Sequence, residues 1–426
     1  MKNYIVKLLK YSEKYTKTDM TYFASNGLWL LLAQGVASTC AFVVTVVLTN
    51  TLPKEMFGQY RFVLSVVTVL AIFTLPGVSV ATTRAVARGA HISLKKLVKI
   101  KINYGLLGTL AALLTALYYY QQGNELLANM FALSALFIPF FDTFFIYSFY
   151  LKGKHDFKTP ATYEVISRII QVFSIIAVVL ITKNILLLIA TFFITQIATR
   201  AFFFHKTTID SDAKDINEIT DKDSTKDVIY YGKHLSTLSI FGIAVENVDK
   251  LFVWHFLGAD ALAIYIIALA IPITLSGIFS FASELALPKF AAKTTALTLP
   301  LRKMLIFALS LTVVAVMYIA TASNIFHNLF PLYIDAILFT QIMAITTIIV
   351  PVKAVIGKIS VVNANRYVLT AITIIPLILQ IVLLYTFVLY MSLGILGAVL
   401  ALVVRVCVML FIDTFFTLFI LKKQSL

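Results

Sequence analysis

Residues 26–50 read NGLWLLLAQGVASTCAFVVTVVLTN, a run without one Asp, Glu, Lys or Arg. At about 1.5 Å per residue, a helix of this length measures about 37 Å, enough to cross the roughly 30 Å hydrocarbon core of a bilayer. Inside that core each backbone N–H and C=O must find its partner within the segment, which a helix achieves alone. A transmembrane β-strand would be about half as long and would alternate in polarity, and this run does neither.

Working outward, eleven further apolar runs follow. They lie at about 62–80, 99–120, 126–150, 163–182, 184–204, 234–256, 261–288, 303–324, 333–357, 367–390 and 392–421. Of the 426 residues 60% are hydrophobic and only 13% charged, against about 45–50% and about 25% in soluble domains. The spacing and composition predict an all-α integral membrane protein of about twelve transmembrane helices.

The basic residues set the expected orientation. With the N-terminus inside and the spans alternating, 30 of the 35 Lys and Arg fall on inside segments and their flanking span ends. The outside loops hold only Lys54, Arg61 and Lys183, while Lys250 and Arg405 fall within spans. This bias predicts both termini in the cytoplasm. It also accounts for the net charge of +15 by membrane topology, so no nucleic acid is needed as a partner. Residues 1–25 carry Lys2, Lys7, Lys10, Lys14 and Lys17 among Tyr4, Ile5, Leu8, Tyr11 and Tyr15, the pattern of an amphipathic helix on the cytoplasmic surface rather than of a signal peptide. The two cysteines, Cys40 and Cys407, sit inside apolar runs and form no disulfide framework or metal motif.

The chain repeats itself at an offset of 205 residues. Leu52, Gly58, Tyr60, Leu64 and Leu70 correspond to Leu257, Ala263, Tyr265, Leu269 and Leu275, and Glu55 falls on Asp260. Arg84 and Arg88 fall on Lys289 and Lys293. The repeat divides the chain into an N-lobe at 26–204, a polar cytoplasmic linker at 205–233 and a C-lobe at 234–426. Six spans per half bring both halves in from the same side, which makes the repeat parallel, with its pseudo-two-fold axis along the membrane normal. Two such lobes are expected to enclose a cavity and to rock about it, as transporters do.

The turn Leu52-Pro53-Lys54-Glu55-Met56-Phe57-Gly58-Gln59-Tyr60 resembles the first interhelical turn of the polysaccharide repeat-unit (O-antigen and exopolysaccharide) flippases of the multidrug/oligosaccharidyl-lipid/polysaccharide (MOP) exporter superfamily. Glu246-Asn247-Val248-Asp249-Lys250, followed by Phe256-Leu257-Gly258 and Tyr265, is similar to their second-half motif. Ala263 departs from the glycine usual at that position. The resemblance implies a MATE-like fold and a bacterial or archaeal plasma membrane location. It implies as cargo an oligosaccharide on an undecaprenyl-type diphosphate, with membrane lipids around it and the polysaccharide polymerase and chain-length machinery as partners. It implies no catalytic residues, no enzyme activity and no cofactor, with transport coupled to H+ or Na+ as an option.

A diphosphate carried bare through hydrocarbon would cost a prohibitive desolvation energy, so such a cargo requires fixed cations. The candidates are Lys250 and Arg405 near mid-span, Arg61 at the outer mouth, and Arg84, Arg88, Lys289 and Lys293 at the cytoplasmic ends of the second and eighth spans. Each mid-span cation costs about 2.5–3.5 kcal/mol on insertion scales and so needs a polar setting. The four end residues read equally as positive-inside anchors, and Glu246 with Lys250 reads also as a structural i,i+4 pair. Candidate ion-coupling acids are Asp142, Glu246, Asp249, Glu284 and Asp413. The competing reading is an ion-coupled exporter of small cationic molecules on the same fold. The absence of acid at 27–49 and the central cations weigh against it. A glycan polymerase or ligase would need a long outward loop, and the outward loops are short. No Gly-rich phosphate loop is present.

Overall fold

The computed structural model describes residues 20–214, 222–291, 301–363 and 366–424. These residues form fourteen α-helices joined by short 3-10 or π turns. In chain order they are α1 (Met20–Thr51), α2 (Lys54–Leu70), α3 (Pro76–Ala87), α4 (Leu94–Gln121), α5 (Glu125–Ala135), α6 (Ile146–Gly153) and α7 (Lys158–Ile181). There follow α8 (Ile185–Lys214), α9 (Lys222–Ala291), α10 (Leu301–Leu329), α11 (Ile337–Met343), α12 (Thr346–Asn363), α13 (Arg366–Leu384) and α14 (Gly394–Gln424). The surface helix expected before residue 20 lies outside the described residues. Helix enters the stretch read as the inter-lobe linker from both sides, as α8 runs on to Lys214 and α9 begins at Lys222.

Nine helices among the described residues are long and apolar enough to cross a membrane, or ten with the bent pair Pro331–Met343 and Thr346–Gly357 taken as one span. One of the nine, Thr225–Ser280, has 56 residues. At about 1.5 Å each it would measure about 84 Å, far more than one bilayer. It is two spans, because α9 breaks at Gly258, with φ 88° and ψ −175°, a conformation open to glycine and strained for other residues. The fourth expected span exists in pieces: α5, a 3-10 turn at Ile138–Phe140, and α6. Counted this way the spans number twelve, as the hydropathy pattern predicts.

The offset of 205 reappears in the backbone. Gly258 is the counterpart of Pro53, and Pro53 (φ −55°, ψ 149°) is where the chain turns into α2. The two halves thus break their first helix from their second at the same repeat position, one with proline and the other with glycine.

The second span departs from the expected unbroken helix at 62–80. Leu75 takes a left-handed conformation (φ 56°, ψ 67°) and Pro76 opens α3. Proline disfavours the α region for the residue before it and lacks the N–H that would continue the ladder, which explains a break here.

The helices wear their apolar side chains outward. On α4, Leu106, Leu110, Leu113, Leu114 and Leu117 are exposed, while Gly105, Gly108, Ala112 and Ala116 face inward. A Cβ at Gly105 would stand 2.7 Å from Pro139 Cα, and one at Gly108 would stand 2.8 Å from the Leu70 carbonyl oxygen. Small residues therefore let the broken fourth span and the end of α2 press against α4, the packing mode of membrane helices.

The chain gathers into two compact units. One is Thr39–Asp260, and the other comprises the residues up to Ser38 together with those from Ala261 onward. The first unit thus contains the arm of α9 at 222–257. Within it, the Gly77 amide donates to Ser236 Oγ at 3.0 Å, and a Cβ on Gly232 would lie 2.7 Å from Val78 Cα. Farther along, Trp254 stacks on Phe62 with ring centroids 4.2 Å apart and donates to the Tyr119 hydroxyl at 3.3 Å. In the second unit α14 packs on α12 and α13, and Tyr318 and Thr340 share a hydroxyl hydrogen bond of 2.5 Å.

Candidate functional site

Charged side chains at membrane depth define the sites. In the first unit several of them form one connected tract. Unwinding between α5 and α6 leaves the Phe141 carbonyl free of the helix ladder, and two side chains of α8 take it up: Gln196 Nε2 at 3.5 Å and Arg200 Nη1 at 3.0 Å. Irregular backbone at this depth is tolerated where it is covered by protein in this way. Arg200, 7% exposed, also pairs with Asp142 at 3.0 Å and lies 4.4 Å over the Phe145 ring. The tract continues from Gln196 to Gln171 (3.3 Å), from Gln171 to Arg168 (3.1 Å) and from Arg168 to Glu164 (2.8 Å). Nearby, Lys101 is fully buried and donates to a neutral partner, Ser79 Oγ, at 2.8 Å.

The motif on the first arm of α9 is arranged locally. Lys250 Nζ donates to the backbone carbonyl of Glu246, and its ionic neighbour is Asp249 at 3.9 Å. Asp249 is buried, 4% exposed, and accepts the Lys250 backbone N–H at 2.9 Å. Glu246 is exposed. The charge partner of Lys250 is thus the adjacent acid, and Glu246 serves it through the main chain.

In the second unit Asp413, 2% exposed, meets Lys353 of α12 at 3.9 Å. Its other oxygen, Oδ1, is buried and accepts no hydrogen bond. Arg405, on the same helix as Asp413, is half-buried and lies within electrostatic reach of Lys353. Lys353, Arg405 and Asp413 therefore share this region.

The remaining candidates are dispersed. Arg61 is half-buried on α2. Arg84, exposed at the end of α3, donates to the Tyr231 hydroxyl at 2.7 Å, with its guanidinium 4.9 Å from the Tyr231 ring centre. Arg88 is exposed. Glu284 and Lys289 lie on the second arm of α9 with side chains outside the description, and Lys293 lies outside the described residues. No group of three or more His, Cys, Asp or Glu that could hold a metal occurs among the described residues.

Sequence reasoning passed over Lys101, Glu164, Arg168, Arg200 and Lys353. The charge count had placed Lys101, Arg168, Arg200 and Lys353 among span-end anchors. The signal for one pair was present: Glu164, Arg168 and Gln171 recur at i, i+4 and i+7, one face of α7.

The fold has known counterparts. It superposes on an inward-closed structure of the lipid II flippase MurJ with a TM-score of 0.68 at 14% identity, covering 93% of this chain and 87% of that one. An outward-facing multidrug resistance MATE family transporter of the MOP superfamily gives 0.62 at 14% identity, covering 94% and 96%. A MOP superfamily transporter from Pyrococcus furiosus gives 0.60 at 13% identity, covering 95% and 96%. No curated protein matches the chain in sequence. The model of a family described as polysaccharide biosynthesis protein matches residues 23–293, well over half of the chain. The chain belongs to this family of polysaccharide biosynthesis proteins.

Proposed function

We propose that this protein translocates polyprenyl-diphosphate-linked oligosaccharide repeat units across the plasma membrane, for O-antigen or another surface polysaccharide. The lobes at 26–204 and 234–426 alternate access to the two faces, both termini are cytoplasmic, and the polymerase and chain-length machinery take the delivered lipid. The family match supports the polysaccharide pathway. The observation that carries the cargo class is the presence of two cations at depth in the second unit: Lys353, 3.9 Å from Asp413, and Arg405 within electrostatic reach of Lys353. A diphosphate completes such a set where hydrocarbon could not hold the anion alone. In this reading Lys353 and Arg405 bind the diphosphate, and Lys250 contributes a further cation in the first unit. Arg61, Arg84, Arg88, Lys289 and Lys293 guide it at the two mouths.

A second reading, ion-coupled export of small cationic molecules, is favoured by Asp413, whose buried Oδ1 has no hydrogen-bond partner and offers a proton or Na+ a seat. The same acid serves the first reading as the coupling residue, beside Asp142, Glu246, Asp249 and Glu284. Delivery of lipid-linked oligosaccharide in reconstituted vesicles separates the two. Lys250→Ala, Lys353→Ala and Arg405→Ala at normal protein level are expected to lose delivery. Full delivery by all three would refute the basic site, and export of a cationic dye with no lipid delivery by the wild type would install the second reading.

A further inference from the structure

Among the buried oxygens of the first unit that have no hydrogen-bond partner are the hydroxyls of Tyr147 and Ser167 and Oε2 of Glu164. Tyr147 is 0% and Ser167 8% exposed. Buried polar atoms in native proteins are satisfied by protein or by ordered water, so each of these calls for a partner.

The three belong to one place. Glu164 and Ser167 stand three apart on α7, on one helical face. Tyr147, from α6, lies against the ring of Tyr163 at 5.9 Å, and its hydroxyl feels the charges of both Glu164 and Arg200. This place adjoins the Glu164 end of the polar tract, which runs from Glu164 through Arg168, Gln171 and Gln196 to Arg200 and Asp142.

We propose that a buried water site joins Tyr147 of α6 to the Glu164 end of the tract. The Tyr147 and Ser167 hydroxyls donate to water, and water donates to Glu164 Oε2. The charges select the ligand. Arg168 already holds Oε1 of Glu164 at 2.8 Å and Arg200 stands on the other side, so a metal cation would meet two guanidinium groups. An anion would meet the Glu164 carboxylate. A neutral dipole with two donors and two acceptors suits the set, and buried waters characteristically take 2–4 such partners. The water ties α6 to α7 where the fourth span has lost its helical ladder, and the tract ties α7 on to α8.

The test is a sign, read on the full-length protein in detergent micelles, and it does not depend on transport. Tyr147→Phe keeps the ring and removes only the hydroxyl. Deleting a hydroxyl that truly lacks a partner relieves a desolvation penalty and raises the melting temperature; deleting one held by water removes hydrogen bonds and lowers it. We expect a melting temperature lower by about 2–4 °C, the scale of one such interaction in a unit of this size, and a shift of the same sign for Ser167→Ala. An unchanged or raised melting temperature in Tyr147→Phe overturns the proposal. So does a stabilisation of the wild type by NaCl over choline chloride that Tyr147→Phe abolishes, since that assigns the site to a cation.

Discussion

Consider Gly77→Ala. Gly77 sits at the start of α3, where a Cβ would lie 2.3 Å from the Ser236 nitrogen, 2.5 Å from the Gly232 carbonyl oxygen and 2.6 Å from the Leu235 carbonyl carbon. All three are backbone atoms, so no rotamer change can make room. Ordinary carbon contacts lie at about 3.5–4.0 Å, so the first arm of α9 must retreat by about an ångström. That retreat also strains the hydrogen bond from the Gly77 amide to Ser236 Oγ. Overpacking of this kind costs about 1–3 kcal/mol, and a net hydrogen bond adds about 0.5–1.5 kcal/mol, giving an expected loss of about 2–4 kcal/mol. The control is Gly242→Ala on the same arm of α9, where a Cβ meets nothing within 4 Å. There the better helix propensity of alanine makes the change neutral or stabilising by up to about 1 kcal/mol. Both are read by unfolding in mixed micelles of rising SDS fraction. Equal stability of the two variants would refute the close seating of α9 on α3.

Three further outcomes are expected. Arg200→Met removes the bonds to Asp142 and to the Phe141 carbonyl; because Asp142 keeps a side-chain exposure of 39%, the loss in the same assay is about 1–3 kcal/mol rather than the full value for a sealed pair. Lys353→Met strands the buried Asp413 carboxylate and destabilises by about 2–4 kcal/mol, whereas the double variant Lys353→Met/Asp413→Leu recovers most of the loss; a double variant no better than the single one would show that Asp413 does not depend on Lys353. For orientation, single cysteines at Gly123 and Lys183 are expected to react with an impermeant maleimide added outside intact cells, and one at Lys154 only after permeabilisation; the opposite pattern would invert the topology.

The spans were legible because lipid exposure demands long apolar runs, and every run became a helix or a broken helix, although the helices starting at Lys54 and Lys222 and the one ending at Lys214 reach well past the expected ends 62, 234 and 204. The breaks in the second and fourth runs, which the periodicity missed, had a chemical mark. Pro76 stands near the end of the second run and Pro139 in the middle of the fourth, but a mean over twenty residues hides one proline. The pairing of charges was less legible. Arg200 meets Asp142 across 58 positions, and Lys353 meets Asp413 from another helix; nothing in a helical period connects such residues. Lys101 was hidden for a different reason. It follows Lys95, Lys96 and Lys99, so it passed for a fourth anchor, although it lies about 10 Å into α4 at the helical rise, fully buried. The role of Lys250 in the motif was visible, whereas its choice of Asp249 over the Glu246 carboxylate depends on rotamers that spacing does not fix.

The boundary of the compact units at Asp260 has a consequence for how the protein is made. The first unit includes the arm of α9 that covers Gly77, Val78 and Phe62. Synthesis therefore cannot complete that unit when the sixth span emerges. The unit must wait, with those faces bare, until residue 260 has entered the membrane. The start of α1 waits longer still: the residues up to Ser38 are grouped with those after Asp260, so the first helix to leave the ribosome is among the last to find its final neighbours. Domains generally fold as units in the order of their synthesis. Here the order of translation and the order of assembly differ, and the exposed interval falls on the small-residue surfaces of α3 and α9, where a chaperone or a prematurely ended chain would find an opening.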